Sequence, residues 1–423
     1  MDYYAKKRWG PGKKILFRFA FLYVLLYTLP SPYDAIPGIS VLSDFFNSFW
    51  NNLGVWVGSS ILSIEEEINT QFMGSSDRLI DYIRVLIYAA LSVTGTLLWT
   101  ILDRHRLNYR KQVYWFRLHL RYYLFATLFT YGIVKVIDTQ FSFPGLWRLL
   151  QPFGEASPMG LAWSFMGFSK SYTFFAGMME IIAALLLLFR KTTTLGALVS
   201  LGVMTHVMVL NFSYDIPVKQ FSMHLVLFSL VLLSFDGKRL LNLFVLNSSV
   251  SSVRYRKIFE DVWDRRGVLV LKILFVGYIM ISSSLNAWQR YQQIGPDREK
   301  PVLYGIWEVE SFERKGSDVP PLITDDERWW YLIIEHDRRA NIIRMTEERQ
   351  IYETETNPSE NTFRLNSEDE SYFFEYTEQD STLSLTGEKD GESLVIELNK
   401  YDLDTFILLN RGFNWVQEFP FNR

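Results

Sequence analysis

Long apolar runs separated by short polar loops dominate the first 290 residues of the chain. Because a helix needs roughly 20 mainly apolar residues to cross a bilayer, these runs predict seven transmembrane helices. The predicted spans are residues 14–30, 84–102, 119–137, 172–189, 194–210, 221–235 and 268–288. The stretch 41–62 mixes aromatic residues with Asn and Gly, which favours a helix in the outer membrane interface over an eighth span.

From Gly305 onward the hydrophobic period is that of strands rather than helices. Alternating or wholly apolar segments, separated by turn residues, predict eight or nine short antiparallel strands. The segments are 306–314, 328–336, 340–345, 362–367, 371–377, 382–386, 392–398 and 405–410. So many short strands in this length of chain indicate a small closed β-barrel.

Composition and charge support two domains in two environments. Hydrophobic residues make up 49% of the chain, aromatic residues 16% and charged residues 21%, and the mean hydropathy is slightly positive, which together argue for a membrane protein. The net charge of −3 conceals a C-terminal part, 300–423, with 13 Lys/Arg against 27 Asp/Glu. That acidic part argues against nucleic acid as a partner. The absence of cysteine excludes disulfides, thiolate nucleophiles and Cys-ligated metal centres.

Basic residues fall in alternate loops and predict the orientation. They cluster before the first span and in the loops that follow the second, fourth and sixth spans. Because such loops stay in the cytoplasm, the N-terminus is predicted to be cytoplasmic. An odd number of crossings then places the C-terminal barrel outside, in the periplasm of a bacterial inner-membrane protein.

Residues 119–236 carry a series of short motifs that resembles the DoxX-like membrane proteins, in the long form of Bacteroidetes. The motifs are Arg121-Tyr122, Tyr131-Gly132, Lys135, Phe143-Pro144, QPFG (151–154), SPM (157–159), FMG (165–167), Glu180, Arg190 and NFSYDIPVK (211–219). The flanking segments LYTLP (26–30), GSSD (74–77), LDRHRLNY (102–109) and RGFNWVQEFPFNR (411–423) also fit that form. The resemblance implies a four-helix membrane bundle formed by spans three to six. The wider group includes subunits of thiosulfate:quinone oxidoreductase, so a quinone is the cofactor that the resemblance suggests.

Four regions follow from these patterns. Residues 1–118 form an N-terminal membrane segment, 119–236 the DoxX-like bundle, 237–299 a cytoplasmic loop with the seventh span, and 300–423 the extracytoplasmic β domain. The opening Gly305-Ile306-Trp307 resembles the Gly-x-Trp of lipocalin-like barrels. In that family the Trp closes one end of the barrel under an Arg of the last strand, which makes Arg411 its candidate partner here. Whether the barrel is hollow or filled by its own side chains stays open.

Ionisable residues inside predicted spans are the candidates for chemistry, because they are costly in a membrane. The candidates taken from spans three to six are, in that order, Lys135, Glu180, His206 and His224. They form a candidate polar pocket that binds the head group of a quinone or lipid, with loop 138–171 as a possible lid. In the alternative interpretation, Lys135 and Glu180 form a structural ion pair and the histidines bond neighbouring helices.

Further details of these helices bear on the pocket. Thr173, Gly177 and Glu180 share one face of span four, which suits close helix contact. Asp215 and Lys219 lie in the external loop between spans five and six. The role predicted for this loop is mainly structural, as a tight turn between two antiparallel helices. A Glu and two His match the ligand count of a metal triad, but no spacing in the sequence supports one, and no metal site is predicted.

The sequence favours a non-catalytic membrane component that anchors an extracytoplasmic barrel. Its expected partners are the lipid bilayer and a protein or lipid of the envelope. Two alternatives remain open, a quinone-binding subunit of a redox complex and a membrane enzyme that acts alone. No phosphate loop, dinucleotide fingerprint or hydrolase motif is present, so catalytic residues stay unknown.

Overall fold

The computed structural model describes residues 8–36, 38, 40–72, 74–251, 261–368, 370–389 and 391–422. Basic residues used for the orientation, namely Lys6, Lys7, Arg254, Arg256 and Lys257, lie outside these ranges. The chain divides into two units with separate cores. The helical unit comprises Met1–Phe141 and Pro158–Gly295, and the β unit comprises Ser142–Ser157 and Pro296–Arg423.

Twelve α-helices are formed within the described ranges. They are α1 Pro11–Thr28, α2 Ser40–Trp56, α3 Leu79–Leu102, α4 Arg110–Val136, α5 Leu146–Leu150, α6 Pro158–Phe168, α7 Lys170–Leu188, α8 Thr193–Ser213, α9 Lys219–Ser234, α10 Gly237–Phe244, α11 Val262–Ile294 and α12 Ile407–Asn410. Every predicted span coincides with one of these helices. In the helical unit, α4 packs against α7, α9 and α11, while α8 packs against α7 and α9.

Five helical segments of the described chain are long and apolar enough to cross a membrane. They are Pro11–Ala35, α3, α7, α8 and α11, and the pair α9 and α10, bent by 83°, is a sixth if it counts as one span. The helix over the third predicted span, α4, is not among them, because polar residues such as Arg121 and Lys135 lower its hydropathy. The count of seven spans therefore stays a prediction.

The predicted interfacial stretch forms α2, which continues into a π-helical turn at Val57–Ile61. Its buried face packs on α3, where Trp50 meets Tyr88 edge to face at 4.8 Å. The opposite face carries exposed apolar side chains, including Phe45 and Trp56. The interfacial location of α2 stays a prediction.

Eight of the nine strands described in the β unit form a closed antiparallel barrel. The nine are β1 Gly305–Arg314, β2 Ser317–Asp318, β3 Trp329–His336, β4 Arg339–Arg344, β5 Arg349–Asn357, β6 Thr362–Asn366, β7 Ser371–Gln379, β8 Thr382–Lys389 and β9 Glu392–Lys400. Consecutive strands pair from β3 to β9, and β1 pairs with both β3 and β9, which closes an eight-stranded barrel. The short β2 adds only to β1. The predicted barrel is confirmed.

The strand prediction is corrected in three places. It missed β2 and β5, and the segment 405–410, predicted as a strand, is not one. This segment contains the end of a 3₁₀ turn, Leu403–Thr405, and then α12. The Asp402 side chain accepts a hydrogen bond from the backbone N–H of Asp404 at 3.0 Å, which starts a turn where a strand was expected.

Side chains of the barrel fill its interior. Trp307, Trp329, Tyr352, Phe363 and Phe374 are fully buried in one continuous cluster. A barrel of eight strands is just wide enough for its own side chains to fill it. The structure therefore favours a filled barrel over a hollow one.

Segment 142–157 was expected to be part of a lid but belongs to the β unit. In α5, Leu146 is buried against Ile306 and Ile333 of the barrel wall, and its N–H donates to a carboxylate oxygen of Glu335 at 3.0 Å. The Arg349 guanidinium lies 3.8 Å from the centre of the Trp147 ring. The two ends of the expected lid, 138–141 and 158–171, belong to the helical unit.

Candidate functional site

A cavity of about 570 Å³ lies within the helical unit, between α4, α6, α7, α8 and α9. Most of its wall is apolar and aromatic, for example Phe175, Val203 and Phe221. Its size falls in the range of sites for small organic molecules. Of the four residues expected in a polar pocket, Lys135, Glu180 and His206 line it.

The Lys135–Glu180 ion pair is the charged part of the cavity wall. Lys135 Nζ donates to both carboxylate oxygens of Glu180 at 2.9 Å. The exposed fraction of the residue is 7% for Lys135 and 2% for Glu180. Two charges removed from water in this way are stable only as a well-formed pair. The expected structural ion pair is thus present, and it also faces a cavity.

Two glycines bring α4 and α7 close enough for this pair to form. A Cβ on Gly177 would lie 2.7 Å from the backbone oxygen of Gly132, and a Cβ on Gly132 would lie 2.8 Å from that of Gly177. The backbones therefore touch one turn away from the ion pair. Thr173 extends this face of α7, and its hydroxyl donates to the Met166 carbonyl at 2.6 Å. The predicted small-residue face is the α4–α7 contact.

The cavity wall offers further polar atoms. The buried side-chain oxygen of Gln140 has no hydrogen-bond partner among the described residues. Asn211 Nδ2 reaches the Val218 carbonyl only at 3.4 Å, while His206 is exposed on α8. A buried acceptor without a partner is unfavourable, so a ligand that donates a hydrogen bond to Gln140 would be stabilised.

His224, the fourth expected pocket residue, lies in a separate cluster. Its ring stacks on Tyr27 at 3.8 Å and contacts the Gln220 carbonyl through Nδ1 and the Tyr23 hydroxyl through Nε2, both at 2.7 Å. Because a carbonyl can only accept, Nδ1 carries a proton. His224, bonded at both ring nitrogens, therefore links α1 and α9.

The chain resembles one known protein over part of its length. A stretch of 126 residues is 32% identical to YwoB, an uncharacterised protein of Bacillus subtilis, and covers 79% of YwoB and 29% of this chain. The chain belongs to the YwoB family. No family model matches it, so the DoxX-like resemblance stays a prediction. No solved structure matches it either. The name of YwoB assigns no activity, and the function must be argued from the site.

Two buried ionisable residues of this YwoB relative were not among the pocket candidates, although Arg121 was part of the DoxX-like motifs. His119 Nε2 contacts Thr28 Oγ1 at 2.7 Å, and its Nδ1 contacts the Tyr33 hydroxyl at 2.9 Å. Arg121 donates to the backbone oxygens of Leu187 and Leu188 at the end of α7, at 2.9 and 2.8 Å. Both residues stand inside the third predicted span, so the rule that selected Lys135 also selects them.

The loop between α8 and α9 is organised by a residue that the sequence prediction did not include. Asp215 and Lys219 form an ion pair at 2.7 Å, but the Asp215 side chain is 84% exposed. The start of α9 is instead capped by Asp77, whose carboxylate accepts from the N–H groups of Lys219 at 2.6 Å and Gln220 at 2.9 Å. This carboxylate satisfies two free N–H groups at the helix start. Asp215 and Lys219 do not line the cavity.

The expected partners at the barrel end, Trp307 and Arg411, have different neighbours. The Trp307 ring nitrogen donates to the Leu303 carbonyl at 3.0 Å, and the cation over its ring is Lys400 at 4.9 Å. Arg411 lies over the Phe421 ring at 4.0 Å.

The expected absence of a metal site can be compared with the geometry. Among the residues that the structure describes, no group of three His, Cys, Asp or Glu could hold a metal ion. Glu180 is already occupied by Lys135, and His224 by Tyr23 and Gln220. The arrangement is suited to bind a molecule with an apolar body and a polar head.

Proposed function

We propose that the protein is an integral inner-membrane component whose helical unit binds a lipid-soluble molecule with a polar head group, a quinone or a lipid. The β unit, in the envelope, then contacts a protein partner, and the chain has no catalysis of its own. The observation that carries the proposal is the largely apolar cavity of about 570 Å³ with the buried Lys135–Glu180 pair in its wall.

The chemistry of the wall supports this class of ligand. Apolar and aromatic side chains favour a ring or an acyl chain, because its burial removes apolar surface from its surroundings and gives close packing. The head group would meet the unpartnered Gln140 oxygen, the exposed His206 and the edge of the ion pair. The quinone of the redox-subunit hypothesis and a membrane lipid both have this form, and the proposal does not require a separate cofactor site.

Contacts inside each unit support a cytoplasmic N-terminus and an external β unit. The Trp9 N–H donates to the Leu107 carbonyl at 3.0 Å, which joins the start of α1 to the basic loop before α4. From that end α4 runs for 27 residues, or roughly 40 Å, which is enough to cross a bilayer. Segment 142–157, which follows α4, belongs to the same β unit as residues 296–423. A seven-span chain that includes α4 and α9 fits this connectivity.

Ligand retention by a cavity-filling variant tests the proposal. Gly202 lines the cavity, and a Cβ there would meet no atom within 4 Å. Gly202→Leu should therefore fill the cavity without distorting α8. Gly277→Leu is the matched control, because a Cβ at Gly277 on α11 also meets nothing within 4 Å and this residue is not part of the cavity wall.

The experiment compares bound small molecules in three purified full-length proteins. Each is extracted from bacterial membranes in mild detergent, and its quinones and lipids are quantified by mass spectrometry per mole of protein. We expect wild type and Gly277→Leu to retain one class of molecule, and Gly202→Leu to retain about tenfold less, because a 1.4 kcal/mol steric penalty already gives that factor. Equal retention by all three proteins would mean that the retained molecule does not bind in the cavity, and would contradict the proposal. An absorbance change on borohydride reduction separates a quinone from a lipid.

A further inference from the structure

A second cavity, of about 460 Å³, lies at the amino-terminal end of α1, beside the end of α3. Four of the side chains that line it are cationic, namely Arg8, Lys14, Arg18 and Arg104. No carboxylate is part of its described wall. A cavity with this charge is suited to an anion, and neither the YwoB relationship nor the proposed ligand of the first cavity accounts for it.

Two of these cations are buried without a counter-ion. The exposed fraction is 7% for Lys14 and 2% for Arg18. Lys14 Nζ donates to the Arg106 carbonyl at 2.5 Å, and Arg18 donates to the Tyr109 hydroxyl at 2.6 Å and the Thr100 hydroxyl at 2.8 Å. All of these acceptors are neutral.

The Asp103 carboxylate is linked to Arg18 only through the Tyr109 hydroxyl, and Arg18 itself reaches the Asp103 backbone oxygen at 3.3 Å. Asp103 accepts from the Tyr109 hydroxyl at 2.9 Å and pairs with Arg106 at 3.7 Å. Within the described ranges, neither Lys14 nor Arg18 forms an ion pair. A buried charge that lacks a counter-ion is strongly unfavourable, so an anion in the adjoining cavity would relieve both cations.

The start of α1 adds a further preference for negative charge. The helix has 18 residues and begins at Pro11, and no side chain caps its first turn. Free N–H groups and the positive end of the helix dipole favour an anion at such a position. This helix end alone would not define a site, but here it adjoins a cavity with two buried cations.

We propose that this second cavity binds a phosphate group at the basic face of the helical unit. Arginine and lysine side chains bind phosphate oxygens by charge-assisted hydrogen bonds, and the fork of a guanidinium matches two of those oxygens at once. Two sources share this chemistry, the head group of an anionic phospholipid and free phosphate. The basic loops at this end of the unit suit the anionic surface of a membrane.

Binding of two probes to the full-length protein in neutral detergent tests the proposal. Isothermal titration calorimetry at physiological ionic strength measures the dissociation constant of short-chain phosphatidylglycerol and, separately, that of inorganic phosphate. The test variant is Arg8→Gln/Arg104→Gln, since both side chains are exposed on the cavity rim. The control is Arg110→Gln/Lys111→Gln, which removes two exposed charges of the same basic face outside the cavity. Circular dichroism confirms that each protein is folded.

We expect wild type to bind a probe and the Arg8/Arg104 variant to bind it at least roughly tenfold more weakly, because charge-assisted hydrogen bonds are lost. The Arg110/Lys111 variant should stay within about twofold of wild type, since it loses only screened long-range attraction. Binding of phosphatidylglycerol alone identifies a lipid head group, and binding of inorganic phosphate identifies a free anion. Equal weakening of both variants would show diffuse attraction and overturn the proposal, as would wild type binding neither probe.

Discussion

Both units of the protein contain a buried or half-buried glutamate, and the two are stabilised in different ways. Glu180 in the helical unit has one ionic partner, Lys135, and lies at the wall of a cavity. Glu370 in the β unit accepts hydrogen bonds from Arg344 and Lys389, each at 2.8 Å. It also accepts bonds from the hydroxyls of Tyr352 at 2.6 Å and Tyr372 at 3.0 Å. Glu370 thus has four donors where Glu180 has one.

The difference separates a carboxylate held by a network of donors from one held by a single lysine at a cavity wall. The side chain of Glu370 keeps 17% of its surface exposed, so water and four donors share its charge. Glu180 is 2% exposed and depends on a single lysine. A fully bonded network mainly rigidifies the fold. The Lys135–Glu180 ion pair stands without other donors at a cavity wall. The side-chain oxygen of Gln140 in the same wall has no partner and can accept a hydrogen bond from a bound molecule.

Removing the lysine partner of each glutamate should give the largest difference between the units. Lys135→Met leaves the Glu180 charge buried without a partner and should destabilise the helical unit by about 3–5 kcal/mol. Lys389→Met leaves Glu370 three other donors and partial solvation, so about 1 kcal/mol is expected. Thermal unfolding of the full chain in detergent measures both, with helical and β circular dichroism signals followed separately.

The double variant Lys135→Met/Glu180→Met is the control for this pair. It removes both charges and replaces them with flexible apolar side chains, so it should be more stable than Lys135→Met alone. Equal losses for Lys135→Met and Lys389→Met would contradict the comparison, because they would mean that the number of donors does not matter.

A smaller loss is expected when the helix contact that supports the ion pair is widened. In Gly177→Ala the new methyl group would lie 2.7 Å from the Gly132 oxygen and from Lys135 Cβ, so α4 and α7 must separate. Overpacking of this kind costs about 1–3 kcal/mol, which the same thermal unfolding measures. Gly202→Ala has open space and should be neutral or stabilising by up to about 1 kcal/mol. If both alanines have the same effect, the close approach is not needed for stability.

Sequence pattern predicted the long helices and most of the barrel, because period and apolar length are local properties. It failed at β5, where only Tyr352 and Thr354 are buried and the outward positions are mainly polar. It also failed at Ile407, Leu408 and Leu409, which form an apolar run that is helical and partly exposed. A short apolar run does not distinguish a strand from a helix by itself.

The only part of the site that could be predicted from the sequence was the set of single charged residues within apolar runs. Lys135 and Glu180 stand out in this way, and the spacing of Gly177 and Glu180 indicated the contact face. The cavity depends on distances between five helices, which no local pattern contains. His224 was assigned to the pocket as an ionisable residue of a predicted span, and its bond to Tyr23 was not foreseen because Tyr23 is 201 residues away in the chain. Asp77, which caps α9, is likewise remote from it in sequence.

The smallest expected effect is on the pH dependence of the β unit. Burial by itself raises the pKa of Glu370, but hydrogen bonds from Lys389, Tyr352 and Arg344 outweigh it and lower the pKa to about 2. A carboxylate whose folded pKa lies below its unfolded value, about 4.3, stabilises the fold above that value and loses this contribution as the pH falls toward 2.

Glu370→Gln should therefore reduce the loss of β-unit stability between pH 5 and pH 3 by roughly 1 kcal/mol, discounted for partial solvation. Unfolding midpoints of the β signal across this pH range measure it. Glu375→Gln, which changes an exposed residue of β7, is the control and should follow wild type. If Glu370→Gln also follows wild type, the donors around Glu370 are too solvated to hold its charge, and the contrast with Glu180 reduces to burial alone.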